Sequence, residues 1–114
     1  MQEIKILEFV DERGHSPFRT WIDTLPLTIR ARIQARILRI KFGNLGDFKS
    51  ISSGLYEFRF IFGPGYRVYC GIVNPCVILI LLGGTKHSQK RDINKAKIYW
   101  HTWNGVNRND KKKP

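Results

Sequence analysis

Between residues 29 and 82 the hydrophobic period of the chain changes once, from that of a helix to that of a strand, and this change limits the folds open to it. Ile29, Ile33, Ile37 and Ile40 recur at three- and four-residue spacing and mark one stripe of a helix. From Leu55 the period is two. Tyr56, Phe58, Phe60 and Phe62 alternate with Leu55, Glu57, Arg59 and Ile61. Past the turn Gly63-Pro64-Gly65, Tyr66, Val68, Cys70 and Ile72 alternate with Arg67, Tyr69, Gly71 and Val73. Alternation sends each set to one face of a sheet. After the turn at Asn74-Pro75, Val77 to Leu82 is apolar throughout, as in a strand covered on both faces.

The remaining elements follow from turn and cap residues. Ile4 to Val10 reads as a first strand, closed by Asp11-Glu12-Arg13-Gly14. Ser16 suits an N-cap and Pro17 the first helical position, so a short helix is predicted from Pro17 to Asp23. A second helix is predicted from about Pro26 to Phe42, with Thr24 as its cap and Gly43 as its stop. The short link between the two predicts an antiparallel helical hairpin. Gly83-Gly84 breaks the last strand, and Ser88 caps a final helix reaching Trp103, with Ile93, Ala96 and Trp100 on its inner side. The expectation is an α+β fold in the order β-α-α-β-β-β-α. Its antiparallel sheet packs one face, the aromatic one, against the hairpin and the C-terminal helix. The domain spans residues 1–103, and residues 104–114 form a polar, basic tail expected to be disordered.

Charge narrows the partners. Twenty Lys and Arg stand against nine Asp and Glu, a formal net charge of +11. An excess of that size, spread along the chain, points to a polyanion or an acidic protein. Cys70 and Cys76 have no metal-type spacing, and Cys70 sits in an apolar strand pattern as a buried thiol. The first residues carry acids where a signal peptide needs bases, and no apolar run is long enough to span a bilayer, so a cytoplasmic protein without membrane contact is expected.

Candidate chemistry lies on the less apolar strand face. Glu57 and Arg59 project together, Arg67 lies across a short turn, Lys86 and His87 follow the glycine pair, and Lys49 precedes the strands. Cleaving RNA by attack of a ribose 2′-hydroxyl needs a base, cations for the phosphorane and an acid for the leaving oxygen. Glu57, the pair Arg59 and Arg67, and His87 fit those roles in turn. The same spacing equally describes a salt-bridge ladder on a solvent-facing sheet. Arg32, Arg36 and Arg39 flank one side of the second helix and are expected to hold RNA by charge. Tyr69 is a candidate to stack on a base, or else a packing residue. No ligand set for a metal and no cofactor motif is present, so neither is expected.

Several blocks together resemble a known family: Gly43-Asn44-Leu45-Gly46-Asp47-Phe48-Lys49, Gly54-Leu55-Tyr56-Glu57-Phe58-Arg59, Phe62-Gly63-Pro64-Gly65-Tyr66-Arg67-Val68-Tyr69, and Leu81-Leu82-Gly83-Gly84-Thr85-Lys86 with Ser88-Gln89. They are similar to toxins of the RelE/ParE superfamily, in its HigB or phage Gp49-like branch. The resemblance implies a RelE-like fold and a toxin of a type II toxin–antitoxin system. It also implies metal-independent cleavage of mRNA on the ribosome and neutralisation by a cognate helix-turn-helix, HigA-like antitoxin. It aligns Glu57 and Arg59 with lysines of RelE-type enzymes, Arg67 with an arginine and Lys86 with a further cation. It leaves the base open between Glu57, Lys49 and a role shared with the ribosome, and it gives Gln89 and Asp92 supporting roles. A ParE-like gyrase inhibitor and a non-catalytic nucleic-acid-binding co-repressor are the alternatives within the same resemblance.

Overall fold

The computed structural model describes the backbone of residues 3–112 and the side chains of residues 3–105. The elements are β1 (Lys5–Glu8), α1 (Pro17–Ile22), α2 (Leu27–Lys41), β2 (Phe48–Ser52), β3 (Leu55–Arg59), β4 (Tyr66–Asn74), β5 (Val77–Thr85) and α3 (Gln89–Lys112), with a 3-10 turn at Lys86–Ser88 before α3. They form an α+β fold around one sheet in the order β1-β5-β4-β3-β2.

The sheet departs from expectation in three ways. It is mixed, because β1 runs parallel to β5 while the other neighbours are antiparallel. It has a further strand, β2, which pairs with β3 at the edge. That strand reads Phe-Lys-Ser-Ile-Ser and is largely exposed, so it lacks the apolar alternation that marks a strand in sequence. Finally, the helices cover both faces. Phe18 and Ile22 of α1 and Ile33 and Ile40 of α2 pack on Phe58, Phe60, Val68, Cys70, Ile78 and Ile80. Ala96 of α3, with Ile93, Tyr99, Trp100 and Trp103, packs on Leu55, Tyr69, Leu79, Leu81 and Leu82 across the sheet. The alternating faces of β3 and β4 are as expected, but the second face is a second core and not a solvent face.

Two local corrections accompany these. Ser16 does cap α1, accepting from the Arg19 N–H at 3.1 Å, whereas Thr24 does not cap α2. Its hydroxyl donates back to the Trp21 carbonyl at 2.6 Å, closing the end of α1. The last helix does not stop at Trp103. It continues to Lys112 where a disordered tail was expected, since no proline interrupts it before Pro114 and propagation costs little once a helix exists. Lys113 and Pro114 lie outside the described residues.

The sharpest correction concerns Arg36, expected on the helix surface as an RNA contact. It lies at i+3 from Ile33 and four residues before Ile40, on the buried line of α2, and is 9% exposed. Its guanidinium donates to the carbonyls of Arg59, Leu45 (3.2 Å) and Asp47 (2.6 Å) and stacks over the Phe60 ring. Gly46, at φ +68°, passes so close that a Cβ there would sit 3.0 Å from Arg36 Nη2. Arg36 thus ties α2 to the end of β3 and to the loop before β2. Arg36→Ala should lower unfolding free energy by about 2–3 kcal/mol, since it strands partly buried carbonyls, and Arg36→Lys should recover only part. Urea denaturation checks this, and a loss under about 0.5 kcal/mol would contradict the anchoring role.

Candidate functional site

Strand register builds the site. Lys49, Glu57, Tyr69 and Leu82 are successive cross-strand partners from β2 to β5, and Arg59, Arg67 and Gly84 form the next row. Directly opposed residues share a face. Here that face is the one α3 covers, so the polar members of both rows are drawn under the start of the helix.

Glu57 is 2% exposed. Its Oε2 accepts from Gln89 Nε2 at 2.7 Å and lies 3.4 Å from Arg67 Nε. Arg67 Nη1 donates to the Gly65 carbonyl at 2.8 Å, and the same carbonyl accepts the Lys86 N–H at 2.9 Å. Gly65 makes that approach possible from φ +78°, a conformation glycine adopts without strain. Arg67 is therefore hydrogen-bonded through Nη1 to the turn carbonyl and ion-paired through Nε, without a hydrogen bond, to the buried carboxylate, next to Lys86. Lys86 and His87 are exposed on the 3-10 turn. Asp92, 5% exposed, accepts from the Ser88 hydroxyl and sits over Gly84.

The expected residues therefore divide. Glu57, Arg67 and Lys86 come together, with His87 next in the chain. Lys49 is exposed on β2, beside Glu57 in register. Arg59 turns to the sheet end and donates to Asp47 Oδ1 at 2.9 Å. With Arg32, Arg36 and Arg39 it lines a separate cleft of about 390 Å³ between α2 and β3, where Arg32 lies 3.7 Å from the centre of the Phe62 ring. In that cleft Arg36 is pinned by backbone carbonyls, so Arg32, Arg39 and Arg59 are the cations it presents.

Two roles read from the sequence do not fit this geometry. Glu57 has no open side from which to take a ribose proton, because Gln89 and Arg67 occupy it. It acts on Arg67 instead. Tyr69 is fully buried and cannot stack on an RNA base. Gln89 was legible as supporting the last helix or orienting a neighbour, but not which neighbour, and Asp47 had no role, because each makes its contact across a long sequence separation.

Arg67, Lys86 and His87 place cations around the ends of β4 and β5, with donors suited to a phosphodiester. Among the described residues no group of three or more His, Cys, Asp or Glu is placed to hold a metal ion. No helix among them is long and apolar enough to cross a membrane.

The fold is that of a small α+β domain with a cationic edge. No family model matches the chain. It is 44% identical over 82 residues, 71% of its own length and 83% of the relative's, to an uncharacterized protein of Haemophilus influenzae, and it belongs to that protein's family.

The Tyr69 hydroxyl is buried beside the carboxylates of Glu57 and Asp92, and Glu57 is close enough to accept from it. Burial first, and those carboxylates second, raise its pKa well above the ordinary 10.0. The folded state thus prefers the protonated phenol. The stability this lends is whole below pH 10 and is lost as pH rises from there through the folded-state value. Tyr69→Phe should therefore lose less stability than the parent between about pH 9 and 11 in urea melts. Parallel curves for the two proteins would refute the assignment.

Proposed function

We propose that the protein is a RelE-like toxin of a type II toxin–antitoxin system, in the HigB-like branch, that cleaves mRNA on the ribosome without a metal. It works in the cytoplasm and is neutralised by a helix-turn-helix antitoxin. The observation that carries this reading is Arg67, 12% exposed and ion-paired to the buried Glu57, beside the exposed Lys86. Fixed donors aimed at a place where negative charge develops are what phosphoryl-transfer catalysis requires of a protein.

In the proposed reaction the 2′-oxygen bonds to the adjacent phosphorus and the bond to the 5′-oxygen breaks. A 2′,3′-cyclic phosphate and a free 5′-hydroxyl result. One proton leaves the 2′-hydroxyl and one reaches the 5′-oxygen. His87, an exposed imidazole, suits protonation of the leaving oxygen, and Lys49, in register beside Glu57, is the candidate for the first transfer. Arg67 and Lys86 bind the phosphate oxygens as charge builds, and Glu57 with Gln89 keeps Arg67 aimed. Arg32 and Arg39 lie apart and position ribosomal RNA by charge.

Induction of the parent should arrest growth, and co-expression of the antitoxin should restore it. Arg67→Ala should abolish arrest and lower mRNA cleavage on programmed ribosomes on the order of a hundredfold or more while melting as a folded protein. Full cleavage by folded Arg67→Ala would remove this edge as the active site. Arg32→Glu with Arg39→Glu should weaken ribosome binding and flatten its salt dependence. Unchanged binding would assign that cleft to another partner.

A further inference from the structure

Strand β1 pairs with β5 only from Val77 to Ile80, and the last link on that side is Phe9 N–H to the Ile80 carbonyl. Beyond it β5 runs between α1 and α3 with β4 on one side and, among the described residues, no strand on the other. The space there is a cleft of about 550 Å³, within the roughly 300–1,000 Å³ of small-molecule sites. The mechanism above uses none of it.

Its chemistry is specific. Trp21 enters from α1 and Tyr99 from α3, so a planar group would meet aromatic walls. Arg91 and Lys95 bring positive charge from α3. Between them lies Asp92, nineteen-twentieths buried and yet part of the lining. One carboxylate oxygen takes the Ser88 hydroxyl, and the other has Arg91 only at 4.0 Å. A carboxylate offers acceptors alone, so this oxygen selects a ligand edge made of donors. Gly84 permits the arrangement, since a Cβ there would fall 1.9 Å from Asp92 Oδ2.

We infer that this cleft binds a guanine base, whose N1–H and 2-amino group share the one Asp92 oxygen that Ser88 does not hold. Of the four RNA bases, guanine alone presents two adjoining N–H donors on its pairing edge. Adenine and cytosine set one amino group beside an acceptor, and uracil flanks its single N–H with two carbonyls that the carboxylate repels. The register places the cleft beside the cationic edge. Gly84 is the cross-strand partner of Arg67, and neighbouring strands lie about 4.8 Å apart. Gly84 and Thr85 of the cleft lining lead directly into the exposed Lys86, so a nucleotide whose base lies in the cleft can turn its phosphate towards that cation. The inference rests on the RNA-cleaving reading in naming RNA as the source of the guanine, and it makes Asp92 the residue that sets base preference next to the cut.

The test is nucleotide binding to the full chain, followed by the indole N–H signals of its three tryptophans in NMR titrations. Guanosine monophosphate should bind about tenfold or more tighter than the adenosine, cytidine and uridine monophosphates, and should shift Trp21 first. Inosine monophosphate, which keeps N1–H and lacks the 2-amino group, should fall between and needs no variant to measure. Asp92→Asn, close in shape, should bring guanosine monophosphate down to the adenosine level. Equal binding of all four nucleotides, or a guanine preference that survives in folded Asp92→Asn, would overturn the inference. Selective guanine binding by a chain that cleaves no mRNA would sink the toxin reading alone. Cleavage together with indifferent nucleotide binding would sink this inference alone.

Discussion

A sheet covered on both faces has no solvent side for its charged strand residues, and Glu57 is where that constraint acts. An isolated buried carboxylate is costly, so the surrounding chain must supply donors. It does so from two directions: Gln89 from the first turn of α3, and Arg67 across the sheet, whose far side the Gly65 carbonyl holds. The same contacts that make Glu57 tolerable fix the angle at which α3 leaves the sheet and the place where Arg67 meets the cationic edge. Structural need and the candidate site therefore share one network, and a change in either acts on both.

A bulge in β5 does comparable sorting. Tyr69 faces Leu82 while Cys70 faces Ile80, so two residues of β5 span one step of β4. Leu81 and Leu82 both join the core under α3 as a result. The shift also turns Gly83 towards Trp21 and Gly84 towards Asp92, and a Cβ at either position would collide with that neighbour. The glycine pair reads in sequence as the end of a strand. In the fold it lets two large groups approach the sheet from opposite sides, and β5 continues through it to Thr85.

Where the reading of the sequence succeeded, the information was local and periodic. The alternation of β3 and β4, the Ile33–Ile40 line of α2, the Ser16 cap and the Gly63–Gly65 turn each depend on residues within a few positions of one another. The aromatic face of β3 met the helices as its period required. The failures have the opposite character. Arg36 stands on the buried line of α2 at the spacing of its isoleucines, a signal present in the sequence but outweighed by the charge of the side chain. Three backbone carbonyls from distant segments make that burial possible. Glu57 was read as facing solvent, and Tyr69 was left open between a base-stacking and a packing residue, because nothing in their own strands says that a helix follows to cover them.

The sequence by itself determined the α+β character, the period and facing of the central strands, the basic charge and the cluster of Glu57, Arg67 and Lys86 along one meander. Short-range sterics and hydrophobic periodicity act residue by residue and need no knowledge of what lies across the core. Only the tertiary structure decided that β1 lies parallel beside β5, that Phe48–Ser52 forms the opposite edge, and that α3 closes the second face. It also decided that Glu57 orients Arg67 and that Asp92 is buried at a cleft. Those outcomes depend on which surfaces meet after collapse. Partner choice among strands and the pairing of buried charges are settled by contacts between segments far apart in the chain, which local patterns do not encode.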